Sequence, residues 1–182
     1  MSPTIAMKQA HYINGEWVDP ETPRTLEVEN PATEEPFARI SLGSEDIDPL
    51  MHHGLIEVPI GSIAELGGSQ RHAQITALTL AEMRSAIRHA RDSGRPSFTL
   101  VTHSFELINR RTRKVNRIVR RRFEGLCRSL STMRQISTAN FRDDPPRPAD
   151  DDIESEPLPA SPLRTGYRYA EQLVSNTLYG AL

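Results

Sequence analysis

Residues 55 to 135 alternate between extended and helical patterns, and this alternation constrains the fold more than any other feature of the chain. "LIEVPI" (55–60) is a short apolar run with Pro59 near its end, which reads as an edge strand or a strand terminus. "GSIAELGGSQRHAQ" reads as a loop. Thr79 and Glu82 then form a capping box, in which each side chain satisfies a backbone N–H beside the other. Leu80, Met83, Ala86, Ile87 and Ala90 recur at helical spacing, Gly94 stops the helix, and Pro96 lies just beyond. "SFTLVTH" (97–103) reads as a buried strand. Val115, Ile118, Val119, Phe123, Leu126, Cys127 and Leu130 mark a second amphipathic helix, roughly 113–135. Strand, helix, strand, helix predicts an α/β fold with parallel strands and crossover helices.

The chain on either side has a different character. Asn14-Gly15 lies between two short β-prone runs in "HYINGEWV" (11–18), a two-residue hairpin signal. "TLEVE" (25–29) and "FARIS" (37–41) read as two further strands, so the first 42 residues predict a small antiparallel sheet. Such a sheet is marginal unless it packs on something. At the other end, "FRDDPPRPADDDIESEPLPASPL" (141–163) combines acids and prolines with few apolar residues. It cannot bury enough to offset its ordering entropy, and is predicted to be disordered. "YRYAEQLVSNTLYGA" (167–181) could form a short terminal helix with Tyr169, Leu173, Val174 and Leu178 on one side.

Composition sets outer bounds. The hydrophobic fraction is 37%, with 14 prolines among 182 residues, against roughly 45–50% apolar (glycine included) in ordinary domains. A modest core is therefore expected. A single cysteine excludes an internal disulfide framework. The first 30 residues lack a secretory signal pattern, and no stretch approaches the ~20 apolar residues of a membrane span. A cytoplasmic protein with no membrane partner is the expectation.

Three separate segments, "YINGEWVDP" (12–20), "VENPATEEPFARI" (28–40) and "LGSEDID" (42–48), resemble in order and spacing the start of aldehyde dehydrogenases. The resemblance implies a structural entry segment over residues 1–48, carrying neither the catalytic cysteine nor the nicotinamide-binding residues. Nothing later in the chain resembles those parts. Cys127 sits on the apolar side of a predicted helix, where an inert core thiol is expected. No Gly-x-Gly-x-x-Gly turn follows a strand, so no dehydrogenase activity and no cofactor site are expected.

"GLIEVPI", "ITALTLAEMRSAIRHA" and "FTLVTHSFELINRRTRKVNRIVRRRFEGLC" are similar to the C-terminal part of polysaccharide deacetylase-like proteins. That resemblance implies a partial (β/α) barrel-like unit over residues 55–135. The family removes acetyl groups from sugar amides with a divalent metal, an aspartate base and a histidine acid. His103, ending "FTLVT", would be the acid that protonates the leaving amine, and Glu106 would orient it. The family's acidic pair after an apolar strand, and its two histidines four residues apart, have no counterpart here. His52 and His53 are consecutive and point in different directions on any regular element. His72 and His89 have no partner at ligand spacing. No metal site is expected in this chain; the divalent metal belongs to an intact deacetylase.

The layout is thus a hairpin arm (1–48), a seam (49–54), a deacetylase-like β/α segment (55–135), and a disordered acidic, proline-rich tail with a terminal helix (136–182). "NRRTRKVNRIVRRR" (109–122) carries eight Arg or Lys and no acid, so Arg110 to Arg122 could meet a weakly bound anionic partner. The acidic tail could equally fold back on it through screened, weak contacts. The leading expectation is a carbohydrate deacetylase remnant, inactive alone because the metal-bound water is missing. The alternative is a non-enzymatic fusion or interaction module, and an aldehyde dehydrogenase-related protein ranks last. Open strand edges predict a homodimer, or pairing with a missing barrel half.

Overall fold

The computed structural model describes residues 6–8, 11–13, 16–19, 25–29, 33, 35–41, 47–52, 55–109, 113–148 and 155–179. The chain divides into two compact units, Met1–Asp46 and Ile47–Leu182.

In the first unit, β2 (His11–Ile13) and β3 (Glu16–Val18) pair antiparallel, with Ile13 opposite Glu16. Asn14 and Gly15, the expected turn, lie outside the described residues. β4 (Thr25–Glu29) and β5 (Pro36–Ser41) also pair antiparallel, with a register shift between Val28 and Glu29. These strands fall where the alternation puts them. β1 (Ala6–Lys8), which the sequence pattern did not mark, adds to β5 in parallel and gives the order β1-β5-β4.

Among the described residues the second unit is α/β, with short strands and three α-helices. β6 (Leu50–His52) and β7 (Leu55–Glu57) form a hairpin, as do β8 (Ser62–Ala64) and β9 (Gln70–His72). The second hairpin occupies the stretch expected to be a loop. Its turn uses Gly67 and Gly68 at φ of 107° and 88°, a region L side chains avoid.

Helix α1 (Leu80–Asp92) forms as the capping box predicts, with Thr79 Oγ1 accepting from the Glu82 N–H and Glu82 Oε2 accepting from the Thr79 N–H at 2.9 Å. Helix α2 (Arg117–Leu130) is shorter than 113–135, because Asn116 takes the N-cap and its Oδ1 accepts from the Ile118 and Val119 N–H groups. The two helices pack at Gly125, where a Cβ would collide with Leu80. Arg84 of α1 donates to Ser129 of α2 at 2.6 Å. The core gathers Ile63, Ala73, Ile75, Leu78, Met83, Ala86, Ile87, Val119, Leu126 and Leu158.

The expected strand 97–103 is an extended segment with one parallel bridge, Val101 to Gln74. Its main chain bonds to Gly61, Ala73 and Ile75. The ladder goes no further because Ala77 and Leu78 already turn back to bond the Gln74 carbonyl on the way into α1. The parallel strands expected from the β/α alternation are represented in this unit by isolated bridges.

Two boundaries differ from the sequence reading. Ile47 and Asp48 belong with the second unit rather than with the arm. Arg95 donates to Asp48 at 2.6 Å and to the Ile47 carbonyl, and both side chains are buried. Within the expected seam, Pro49 is buried and Leu50–His52 form one strand of a hairpin in the second unit, while residues 53 and 54 lie outside the described residues. The tail also differs. Residues 155–179 are ordered in place, with Leu158 in the core and its carbonyl accepting from the Ala64 N–H at 2.9 Å. Helix α3 (Pro162–Tyr179) begins five residues earlier than expected. Pro162 occupies its first turn, where a missing N–H costs nothing and the fixed φ suits a helix. Leu158 in the core, the Leu158 carbonyl and the buried contacts of Arg168 and Glu171 together anchor a stretch whose low apolar content predicted disorder.

Asp48→Ala strands the buried Arg95 guanidinium, and is expected to destabilise the second unit by about 3–5 kcal/mol in denaturant melts. A loss near zero would return Asp48 to the arm.

Candidate functional site

His103 and Glu106 lie at the end of the extended segment, around a single 3-10 turn (Ser104–Leu107). Glu106 is 3% exposed. Its carboxylate accepts from Gln74 Nε2, from Thr76 Oγ1 at 3.2 Å, from Thr102 Oγ1 at 3.4 Å, and from the His103 backbone N–H at 2.9 Å. The His103 ring is exposed and stacks on Phe105, with centroids 5.0 Å apart. The two residues meet through the main chain of His103, and the Glu106 carboxylate is engaged away from the imidazole. Glu106 acts as a local staple, closing the turn and tying it to the Gln74–Thr76 segment ahead of α1.

The deacetylase resemblance gives His103 and Glu106 as proton donor and orienter, not as metal ligands. Glu106 already accepts from four donors, and His103 has its ring against Phe105. Among the described residues, no group of three His, Cys, Asp or Glu could hold an ion. The side chain of His52 and all of His53 lie outside the described residues. His72 is exposed, and His89 reaches the Glu156 carbonyl at 3.1 Å. Cys127 is exposed rather than in the core. The buried side of α2 runs through Val119, Arg122, Gly125, Leu126 and Ser129, so the helix is rotated from the face its apolar residues mark.

Arg122 lies on that buried side. Expected on a solvated basic face, it is buried, donating Nη1 to the Ile75 and Thr76 carbonyls and Nη2 to Glu171 at 2.9 Å. Arg113, Arg117, Arg120 and Arg121 remain exposed, with Arg120 3.4 Å from Glu124. Arg110 and Arg111 lie outside the described residues.

A second buried arginine, Arg168 of α3, sits between two carboxylates. Its Nη2 donates to Glu65 at 2.7 Å, and its Nη1 lies 3.3 Å from Glu82. Glu65 also accepts from Arg71 at 2.6 Å. The hydrogen bond from Arg71, with the charges of Arg71 and Arg168, holds the Glu65 carboxyl below the ordinary carboxylate range, against a burial effect in the other direction.

These two arginines turn α3 inside out. The helix buries Arg168 at 5% exposure and Ser175 at 6%, while Leu163, Leu173 and Leu178 are 87%, 68% and 65% exposed. Tyr167, Tyr169 and Val174 are exposed as well. Tyr169, Leu173, Val174 and Leu178, expected on one side, are all exposed, with Tyr169 and Leu178 at opposite edges of the outward half of the helix. The sequence carried a signal for this: Arg168, Glu171 and Ser175 share one side of the helix at spacings of three and four.

A surface groove of about 740 Å³ runs beside Ile87, Ala90, Phe98, Leu100, Ile136 and Phe141. His103 and Glu106 are not among its lining residues. Comparison with protein-family models, with curated proteins and with solved structures finds no match to this chain.

Glu106→Ala leaves several buried donors without an acceptor and is expected to cost about 3 kcal/mol, whereas His103→Ala should stay within about 0.5 kcal/mol. Equal costs in thermal melts would show that Glu106 is not a structural staple. Acid should act on α3 through Glu65. Its folded pKa is depressed, so its contribution is complete above the unfolded-state value and is lost as pH falls through the lower folded one. Protection factors of the α3 amides, corrected for the intrinsic pH dependence of exchange, should therefore fall as pH drops below the ordinary carboxylate range. Glu65→Gln should flatten that profile, and an unchanged profile would rule out this linkage.

Proposed function

We propose that this chain is a non-catalytic interaction module whose binding surface is the outward apolar face of α3. The observation that carries the reading is the inversion of that helix. An amphipathic helix that ends its folding on its own domain buries its apolar side; α3 is held by Arg168 and Arg122 through its polar side and presents Leu163, Tyr167, Leu173, Val174 and Leu178. A contiguous apolar patch kept exposed by specific polar contacts marks an interaction surface. On this reading the first unit is a structural arm, as its resemblance to the entry segment of aldehyde dehydrogenases implies. The single exposed cysteine suits a reducing, cytoplasmic setting. No helix among the described residues is long and apolar enough to cross a membrane.

A second reading keeps residues 55–135 as a partial (β/α) barrel-like remnant of a carbohydrate deacetylase. It is favoured by the exposed His103 ring at the end of the extended segment, the place the resemblance implies for a proton donor. The module would be inactive alone on this reading too.

Tagged wild-type chain should retain a stoichiometric protein that the Leu173→Glu/Leu178→Glu variant loses, and the retention should survive high salt because the contact is apolar. Equal retention by both chains would sink the α3 surface, and loss of binding with salt alone would move it to the basic residues of α2. Purified chain supplied with zinc or cobalt should release no acetate from N-acetylated oligosaccharides; release abolished by His103→Gln would replace this proposal with the deacetylase reading.

A further inference from the structure

The partner that α3 fits best is a second copy of this chain, and this inference rests on the interaction reading above. Leu163, Tyr167, Ala170, Val174 and Leu178 follow at spacings of four, three, four and four along α3. At 3.6 residues per turn they form one continuous stripe on the side of the helix, with Leu173 beside it. Arg168 and Ser175, the buried positions, lie on another side.

The stripe is close to palindromic. A two-fold axis crossing between Ala170 and Glu171 sets Leu163 opposite Leu178 of the second copy, and Tyr167 opposite Val174 of the second copy. Large residues then meet at both ends, while at the centre the small Ala170 is set opposite Glu171 of the second copy and lets the two helices approach. An isologous contact requires this self-complementarity, in which each residue finds the same patch reversed. An unrelated partner imposes no such symmetry on the spacing.

The area is also of the right size. At their observed exposures, Leu163, Tyr167, Leu173, Val174 and Leu178 present on the order of 600 Å². Two copies would bury on the order of 1,200 Å², the lower end of a stable specific interface. Arg164, Arg168 and Glu171 lie outside the stripe, and the latter two are paired within their own copy. Self-association therefore buries no unpaired charge. We infer that α3 forms an antiparallel homodimer about an axis near Ala170.

Sedimentation equilibrium of the full chain tests this directly. Wild type should be dimeric at micromolar concentration, and Val174→Glu should raise the dissociation constant by about 30-fold or more with helix content unchanged. If Val174→Glu lowers the melting point, Leu163→Glu, at a residue 87% exposed, gives the same readout from the end of the stripe. Orientation is read by cross-linking in a Cys127→Ser background. Ala170→Cys should join two copies through a short bis-maleimide, and Asn176→Cys should not.

A wild-type chain that stays monomeric overturns the inference. So does a dimer unaffected by either glutamate, or one that cross-links through Asn176→Cys in preference to Ala170→Cys. A monomer that still captures a protein lost by the Leu173→Glu/Leu178→Glu variant refutes only the second copy and leaves the α3 surface standing. A monomer with no such capture refutes both.

Discussion

Arg168 is the contact on which the arrangement of the second unit turns. One guanidinium lies between Glu65, after β8, and Glu82, the third residue of α1, while its own backbone belongs to α3. Three elements that are far apart in sequence meet at this charge. Arg71 supplies a second guanidinium to Glu65, so two carboxylates face two guanidiniums and the charge balances. Arg122 repeats the arrangement from α2, reaching Glu171 of α3 and the Ile75 and Thr76 carbonyls. Buried ion pairs of this kind gain little net stability over apolar packing, because both ions must leave water. Their effect is directional: they fix which side of α3 faces inward.

That directionality links the polar interior to the proposed function. A helix held by its apolar side would have nothing left to offer a partner. Held by Arg168, Glu171 and Ser175, α3 keeps its leucines and tyrosines available. The capping box of α1 takes part in the same device. Glu82 satisfies the Thr79 backbone with Oε2 and faces Arg168 with Oε1, so the residue that starts α1 also helps orient α3.

Legibility varied along the chain with the range of the interaction involved. The start of α1 could be read from Thr79 and Glu82, because a capping box is closed within four residues. β4 and β5 could be read from alternation and flanking turns. α2 was legible as a helix but not in its rotation, since apolar spacing cannot foresee that Arg122 would find two carbonyls and a carboxylate inside. The His103–Glu106 pair was legible as a proximity. What Glu106 does was not, because Gln74 and Thr76, some thirty residues earlier, supply its donors. Residues 155–163 read as disordered on composition, which cannot register contacts such as Leu158 seated in a distant core.

The sequence by itself determined the helices, the hairpins of the arm, the single free thiol and the amphipathic character of α3. Each depends on residues within one or two turns of each other, where propensity, capping and periodicity act. Only the tertiary structure decided where the second unit begins, what Glu106 holds, and which side of α3 meets solvent. Those outcomes rest on buried charges pairing across Asp48–Arg95, Glu65–Arg168 and Arg122–Glu171. A charged side chain excluded from water must find its complement wherever the fold brings one, and that choice is made in space, not along the chain.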